Sequence, residues 1–268
     1  MKIKIPVILL ALVFSLGLAS SGLASTYQPY GSDWLDAEKS PPPNNEDDYM
    51  CWAAAASNIL AWSGWGSPVA SGVGAEDTIF AYFQNHWTDL GGLMEFGWDW
   101  WFDGTNPSEG WGGWSQVDVA GGGFYDPPYF TDHYYRTSTD SAAMSAIDDY
   151  LHAGYGVTLA IYGTFDHAIT CWGYDYDEQS GNYLGVWVTD SDDDKGSNNP
   201  PDTLDYYPVT YSNPNKRWDL GGSFSGCHIG EVQALDRAPE SAVPLPAALW
   251  LLGSGLLGLV GLRRRLLK

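Results

Sequence analysis

Apolar residues recur every three to four positions through the first half of the chain and at alternate positions through the second. Cys51, Ala55, Ile59 and Trp62 share one helical face, which predicts a helix starting near Tyr49. Asp47 and Asp48 are its N-cap candidates and Gly64 its stop. Ile79, Phe80 and Phe83 predict a second helix over 76–86, and Ala143, Met144, Ile147, Tyr150 and Leu151 a third that ends at Gly154. The period then becomes two. Val157, Leu159 and Ile161 alternate, then His167, Ile169 and Cys171, then Leu184, Val186, Val188 and Asp190, with a last strand over Ile229–Leu235. Helices first and antiparallel strands afterwards predict an α+β domain. Residues 93–130 are rich in Gly and Trp, and their periodicity assigns no element.

The two ends carry different patterns. Lys2 and Lys4, an apolar run from Ile5 to Leu18 and the small residues up to Ala24 read as an export signal over 1–24, cleaved after Ala24. At the other end, Val243-Pro244-Leu245-Pro246 precedes an apolar stretch, 247–262, and then Arg263-Arg264-Arg265. Those sixteen residues would span roughly 24 Å as a helix, slightly short of a bilayer core of about 30 Å. The arginines hold the C-terminus cytoplasmic and place the preceding chain outside. Residues 243–268 resemble the PEP-CTERM sorting signal of Gram-negative bacteria. The resemblance implies recognition by an exosortase-type enzyme, membrane attachment through 247–262, and then release to the cell surface or medium. A plain tail anchor is the alternative. A single domain, 25–238, lies between these segments.

Charge narrows what that domain meets. Twelve basic and 33 acidic residues give a net charge of −21, and six of the twelve (Lys2, Lys4, Arg263, Arg264, Arg265, Lys268) sit at the extreme ends. So acidic a surface repels phosphate backbones, which excludes nucleic-acid binding. Three cysteines are too few for a disulfide scaffold and are not spaced for zinc.

Cys51 carries the clearest chemistry. A thiol in the first turn of a helix feels the positive end of the helix dipole and the free backbone N–H groups, and both favour thiolate. The Ala53–Ala56 run behind it lets the helix lie close against a sheet. His167 opens a strand, and a hairpin centred near Glu178–Gln179 would place it opposite Asp190. A carboxylate there fixes the imidazole tautomer and stabilises the imidazolium. Asp166 points to the other face and is not the orienting acid.

Trp34-Leu35-Asp36, Lys39, Asp47-Asp48-Tyr49-Met50-Cys51 with its alanine-rich helix, and His167 followed by Trp172-Gly173 and Val188-Thr189-Asp190-Ser191-Asp192 resemble the IdeS/Mac family of secreted cysteine endopeptidases. The resemblance implies a papain-like fold and an acyl-enzyme mechanism on a protein or peptide substrate, with no cofactor. By motif, Cys51 is the nucleophile, His167 the general base and acid, and Asp190 its orienter. Lys39 supplies a cation to the oxyanion hole, and Asp192 positions that lysine. The Trp/Gly-rich middle has little counterpart in that family, so immunoglobulin is not carried over as substrate.

Other patterns are weaker. Asp190, Asp192 and Asp194 begin like a calcium loop, but Lys195 stands where glycine is needed and Pro201 where glutamate is, so no metal ligand set is expected. Cys171 lies roughly 13 Å along the strand from His167, too far to be its partner; a Cys171–Cys227 disulfide is left open. Two alternatives stand beside the peptidase. One is glycan binding or cleavage, with tryptophan platforms and Glu95, Asp99, Asp103 or Glu109 as acid and base. The other is a catalytically degenerate surface protein.

Overall fold

A computed structural model describes residues 24–40, 46–104, 121–125, 129–192 and 202–239. The predicted export signal (save Ala24) and the C-terminal tail lie outside the described residues, as do Pro41–Pro43, Glu109 and Asp194. No described helix is long and apolar enough to cross a membrane.

The elements run β1 (Ala24–Tyr27), α1 (Cys51–Ser63), α2 (Ala75–His86), α3 (Met94–Asp103), β2 (Tyr134–Thr137), α4 (Ala143–His152), β3 (Gly156–Tyr162), β4 (His167–Asp177), β5 (Asn182–Thr189), β6 (Asp205–Ser212), β7 (Arg217–Leu220) and β8 (His228–Leu235). All pairings are antiparallel. The order β4-β3-β8-β7-β6-β5 returns to β4, so six strands close into a barrel. This corrects the papain-like expectation: the strands form a closed barrel rather than a sheet set beside a helical half. β4 and β8 are the corners. β4 pairs with β5 on one side, and on the other with β3 over its first half and β1 over its last four residues. β8 is bound by β3, by β2 along its C-terminal half and by β7 near its start.

Strand alternation builds two cores. Val157, Leu159 and Ile161 join Ile169, Val186, Val188, Val209, Leu220, Ile229 and Val232 in one cluster drawn from all six barrel strands, with Met144, Ile147 and Leu151 of α4. Ala160 and Ala168 point the other way, into a second cluster with α1, α2 and α3. Trp52, Trp98, Trp100, Trp101, Ile79, Phe80 and Phe83 fill it. The part of the aromatic stretch over Met94–Asp103, which periodicity left unassigned, is therefore helix α3 and core. Two strands needed for closure, β6 and β7, escaped the sequence reading. β6 carries Pro208, which demotes a strand on pattern, and β7 has only four residues.

Candidate active site

The position of Cys51 follows from how α1 meets the barrel. Ala53, Ala54, Ala55 and Ala56 are all buried, and their small side chains allow a close approach. A polar pin fixes the register. The buried Asn58 side chain accepts from the Ala37 N–H (2.8 Å) and donates to Thr170 Oγ1 on β4 (3.0 Å). Gly64, with φ 88°, ends the helix as expected. Its start differs. Met50 is the N-cap and no side chain caps it; Asp47 instead accepts from the Ser40 N–H (2.7 Å) and Gln84 Nε2 (2.8 Å). Cys51 is therefore the first helical residue, where backbone N–H groups have no intrahelical acceptor.

His167 begins β4, after a turn in which Gly163 (φ 149°) has no room for a Cβ against Gly226 and Cys227. Its Nε2 lies 2.6 Å from Asp190 Oδ1. The contact is as predicted, but the register behind it is not. The β4–β5 ladder pairs Thr170 with Thr189 and Asp177 with Asn182, so the turn centres one residue later and the ladder stops before His167. Asp190 reaches the ring from just beyond the end of β5. With Nε2 committed to Asp190, Nδ1 is the nitrogen left for Cys51, and it lies 3.9 Å from Asp192 Oδ2. The rings of Phe165 and Phe224 flank the imidazole at centroid distances of 6.4 and 5.9 Å.

Lys39 is buried, at 2 % exposure, although it carries a charge. Its Nζ donates to the Asp48 carbonyl (2.8 Å) and lies 2.7 Å from Asp192 Oδ1, while its backbone N–H donates to the Ser191 carbonyl (3.2 Å). An ammonium has three donors, and its contacts among the described residues use two. Cys51, His167, Lys39, Asp190 and Asp192 all line one cavity of about 950 Å³. The five residues singled out in the sequence thus meet at one place.

Their fields reinforce one another. Burial raises the Cys51 thiol, but the hydrogen bond and charge of His167, then Lys39 and the Ala168 N–H, outweigh it and leave the pKa below its ordinary value. Burial works against imidazolium at His167, yet the hydrogen bonds that its ring donates to Asp190 and Cys51, and their charge, lift its pKa to about 10. The thiolate forms as pH rises through the lowered Cys51 value, and imidazolium is lost only near pH 10. The ion pair occupies the interval between. Cys171 is fully buried, with its thiol pushed up to about 12, and Cys227 is buried beside Thr164 Oγ1 (3.1 Å). Both thiols are free, so the Cys171–Cys227 disulfide does not form. Iodoacetamide at pH 7 is expected to modify Cys51 ahead of the other two, read by peptide mass spectrometry; equal labelling of the folded protein would contradict this electrostatic account.

Among the described residues, His167, Asp190 and Asp192 offer donor atoms within 4.8 Å of one another, close enough to share a cation. Two of them already face each other and the third pairs with Lys39, so internal charges balance the set. The other histidines have local roles: His86 bonds the Tyr82 carbonyl, His133 pairs with Asp236, His152 with Asp148 and His228 with Asp140. Trp98, Trp100 and Trp101 are fully buried, Glu95 binds Tyr134 and Arg136, and Asp103 accepts from the Phe130 N–H. The described tryptophans of that stretch are therefore core rather than a platform for sugar, while Tyr129 is exposed. Sequence reasoning missed Asn58 and the Phe165–Phe224 pair. A polar residue within an apolar helix face was the available signal for Asn58; nothing local signalled the rings.

None of the curated proteins matches the chain. Residues 242–265 match the model of the PEP-CTERM protein-sorting motif, so the chain carries a C-terminal signal for export and membrane-anchored sorting, of the kind read by an exosortase-type enzyme.

Proposed function

We propose that the protein is an exported cysteine endopeptidase in which Cys51 attacks a peptide carbonyl. The observation that carries this reading is that Cys51, at a helix start, and His167, bonded to Asp190, line one cavity of about 950 Å³. The short motifs that resemble the IdeS/Mac family support the roles of these residues, although the barrel is not the papain-like fold that the resemblance implied. The Cys51 thiolate forms a C–S bond and the carbonyl oxygen takes the negative charge. As the C–N bond breaks, His167 gives its proton to the departing amine. His167 then takes a proton from water, which attacks the acyl carbon; the C–S bond breaks and thiolate returns. Casein hydrolysis that is lost on alkylation tests the reading; hydrolysis unaffected by full alkylation of Cys51 would overturn it.

The oxyanion has two donors at hand, the Cys51 N–H and the Lys39 ammonium held by Asp192. A cation fixed by a buried pair stabilises a developing charge that the ground-state carbonyl lacks. Lys39→Ala is expected to lower kcat on the order of 10²–10³-fold with a much smaller change in KM. Cys51 should still alkylate at neutral pH, because His167 contributes more than Lys39 to its lowered pKa. A kcat within about three-fold of the parent would remove Lys39 from the hole and leave it to a backbone amide or an amide side chain of the Asn44–Asn45 loop.

The sorting motif gives a separate expectation. If its tail is removed during sorting, intact-mass analysis of the released protein should show the loss of residues after about 243. A released protein that retains Arg263–Lys268 would leave anchoring without processing.

A further inference from the structure

The cavity around Cys51 has an uneven charge. Five aspartates line it (Asp48, Asp166, Asp190, Asp192, Asp205) against a single lysine, Lys39. Two of these are committed, Asp192 to Lys39 and Asp190 to His167. Asp166 and Asp205 make no ion pair among the described residues. Asp166 is exposed in the turn before β4. Asp205 starts β6 opposite Val188, two residues before Asp190, and its carboxyl is raised by burial and by the charge of Asp190. A cation entering the cavity would relieve that repulsion. Apolar surface lies beside the acids: Phe165 is 44 % exposed and Tyr49 64 %, both lining the same cavity.

The mechanism gives this surface a direction. His167 must reach the departing amine, so the peptide beyond the scissile bond passes over the His167 side of the cavity. Phe165, Asp166 and Phe224 form that side, and Asp205, within the field of Asp190, lines the same cavity. We propose, resting on the peptidase reading above, that the site selects peptides with a lysine or arginine next to an aromatic residue just after the cleaved bond. Asp166 and Asp205 receive the basic side chain, and Phe165 receives the aromatic one. The net charge of −21 acts in the same sense at longer range, drawing in basic segments and repelling acidic ones.

Binding separates this assignment from catalysis. Labelled peptides that differ only in an arginine or a glutamate beside a phenylalanine are titrated into the purified Cys51→Ala protein at low salt, with fluorescence anisotropy as the readout. The arginine peptide is expected to bind roughly ten-fold or more tightly than the glutamate peptide, a difference that shrinks as salt is added. The Asp166→Asn/Asp205→Asn pair, added to the same protein, should bring the ratio to within about two-fold, with circular dichroism confirming the fold. Equal binding of the two peptides, or a preference that survives both substitutions, overturns the assignment. Incubating the same peptides with the parent protein reads the other question. Preferential binding without cleavage supports the assignment and removes the peptidase reading, whereas cleavage without an arginine preference keeps the peptidase and removes the assignment.

Discussion

Cys51→Ala is expected to reduce peptide hydrolysis to background while leaving the fold intact. Cys51 is the first residue of α1, where alanine is at least as good a helix former as cysteine. The pin that sets the helix, Asn58 to Ala37 and Thr170, lies two turns away and is untouched. His167 keeps its 2.6 Å contact with Asp190, so no buried charge is left alone. What disappears is the atom that forms the acyl bond, and the remaining members of a nucleophile–base unit cannot substitute for it. Such units lose nearly all their rate when one member goes, and only a residue on the order of 10³–10⁴-fold over water survives from the oxyanion hole and binding. Casein turnover and circular dichroism on the same preparation check both halves. Retained turnover would move the nucleophile elsewhere.

Asp190→Asn should produce the second largest loss, by a different route. The substitution keeps the shape beside His167 and removes the charge. Asp190 is a principal cause of the raised His167 pKa, which should fall. A carboxamide can also present N–H to Nε2 and so favour the wrong tautomer. Losses on the order of 10²–10⁴-fold in kcat follow where a triad acid becomes its amide. The pH profile distinguishes this from simple misfolding. In the parent, the working interval opens as the lowered Cys51 pKa is passed and closes near pH 10, where His167 deprotonates. In the variant the alkaline limb should move down, and alkylation of Cys51 should need a higher pH. An unchanged profile with unchanged kcat would remove Asp190 from the mechanism.

Local chemistry was legible in the sequence, and global closure was not. Helices α1, α2 and α4 and strands β3, β4, β5 and β8 follow from apolar periods that each element carries by itself. Cys51, His167, Asp190, Lys39 and Asp192 do meet around one cavity: Cys51 and His167 begin elements, Asp190 and Asp192 follow β5, and the Lys39 N–H bonds Ser191 between them. The barrel depends on pairings that leave little local trace. β7 meets β8 at a single residue pair, Asp219 with His228, and the Leu220 N–H donates to the Cys227 carbonyl (2.9 Å). β6 buries only Tyr207 and Val209 and carries Pro208, which has no N–H for the ladder. The hairpin shows how local reasoning can reach the right contact through the wrong register. An offset of two residues preserves the face, and Asp190 beyond the last ladder pair still reaches His167. Asn58 could be marked only as a polar residue on an apolar helix face; its partners, 21 and 112 residues away, left no local trace.

The central claim is that Cys51 forms a covalent bond to the acyl half of a peptide. Intact-mass spectrometry of acid-quenched mixtures of the protein with an activated peptide ester tests it most directly. An adduct equal in mass to the acyl portion, mapped to Cys51 and absent from Cys51→Ala, is the result the account predicts. Ester turnover without such an adduct, or an adduct mapped to Cys171 or Cys227, would contradict it.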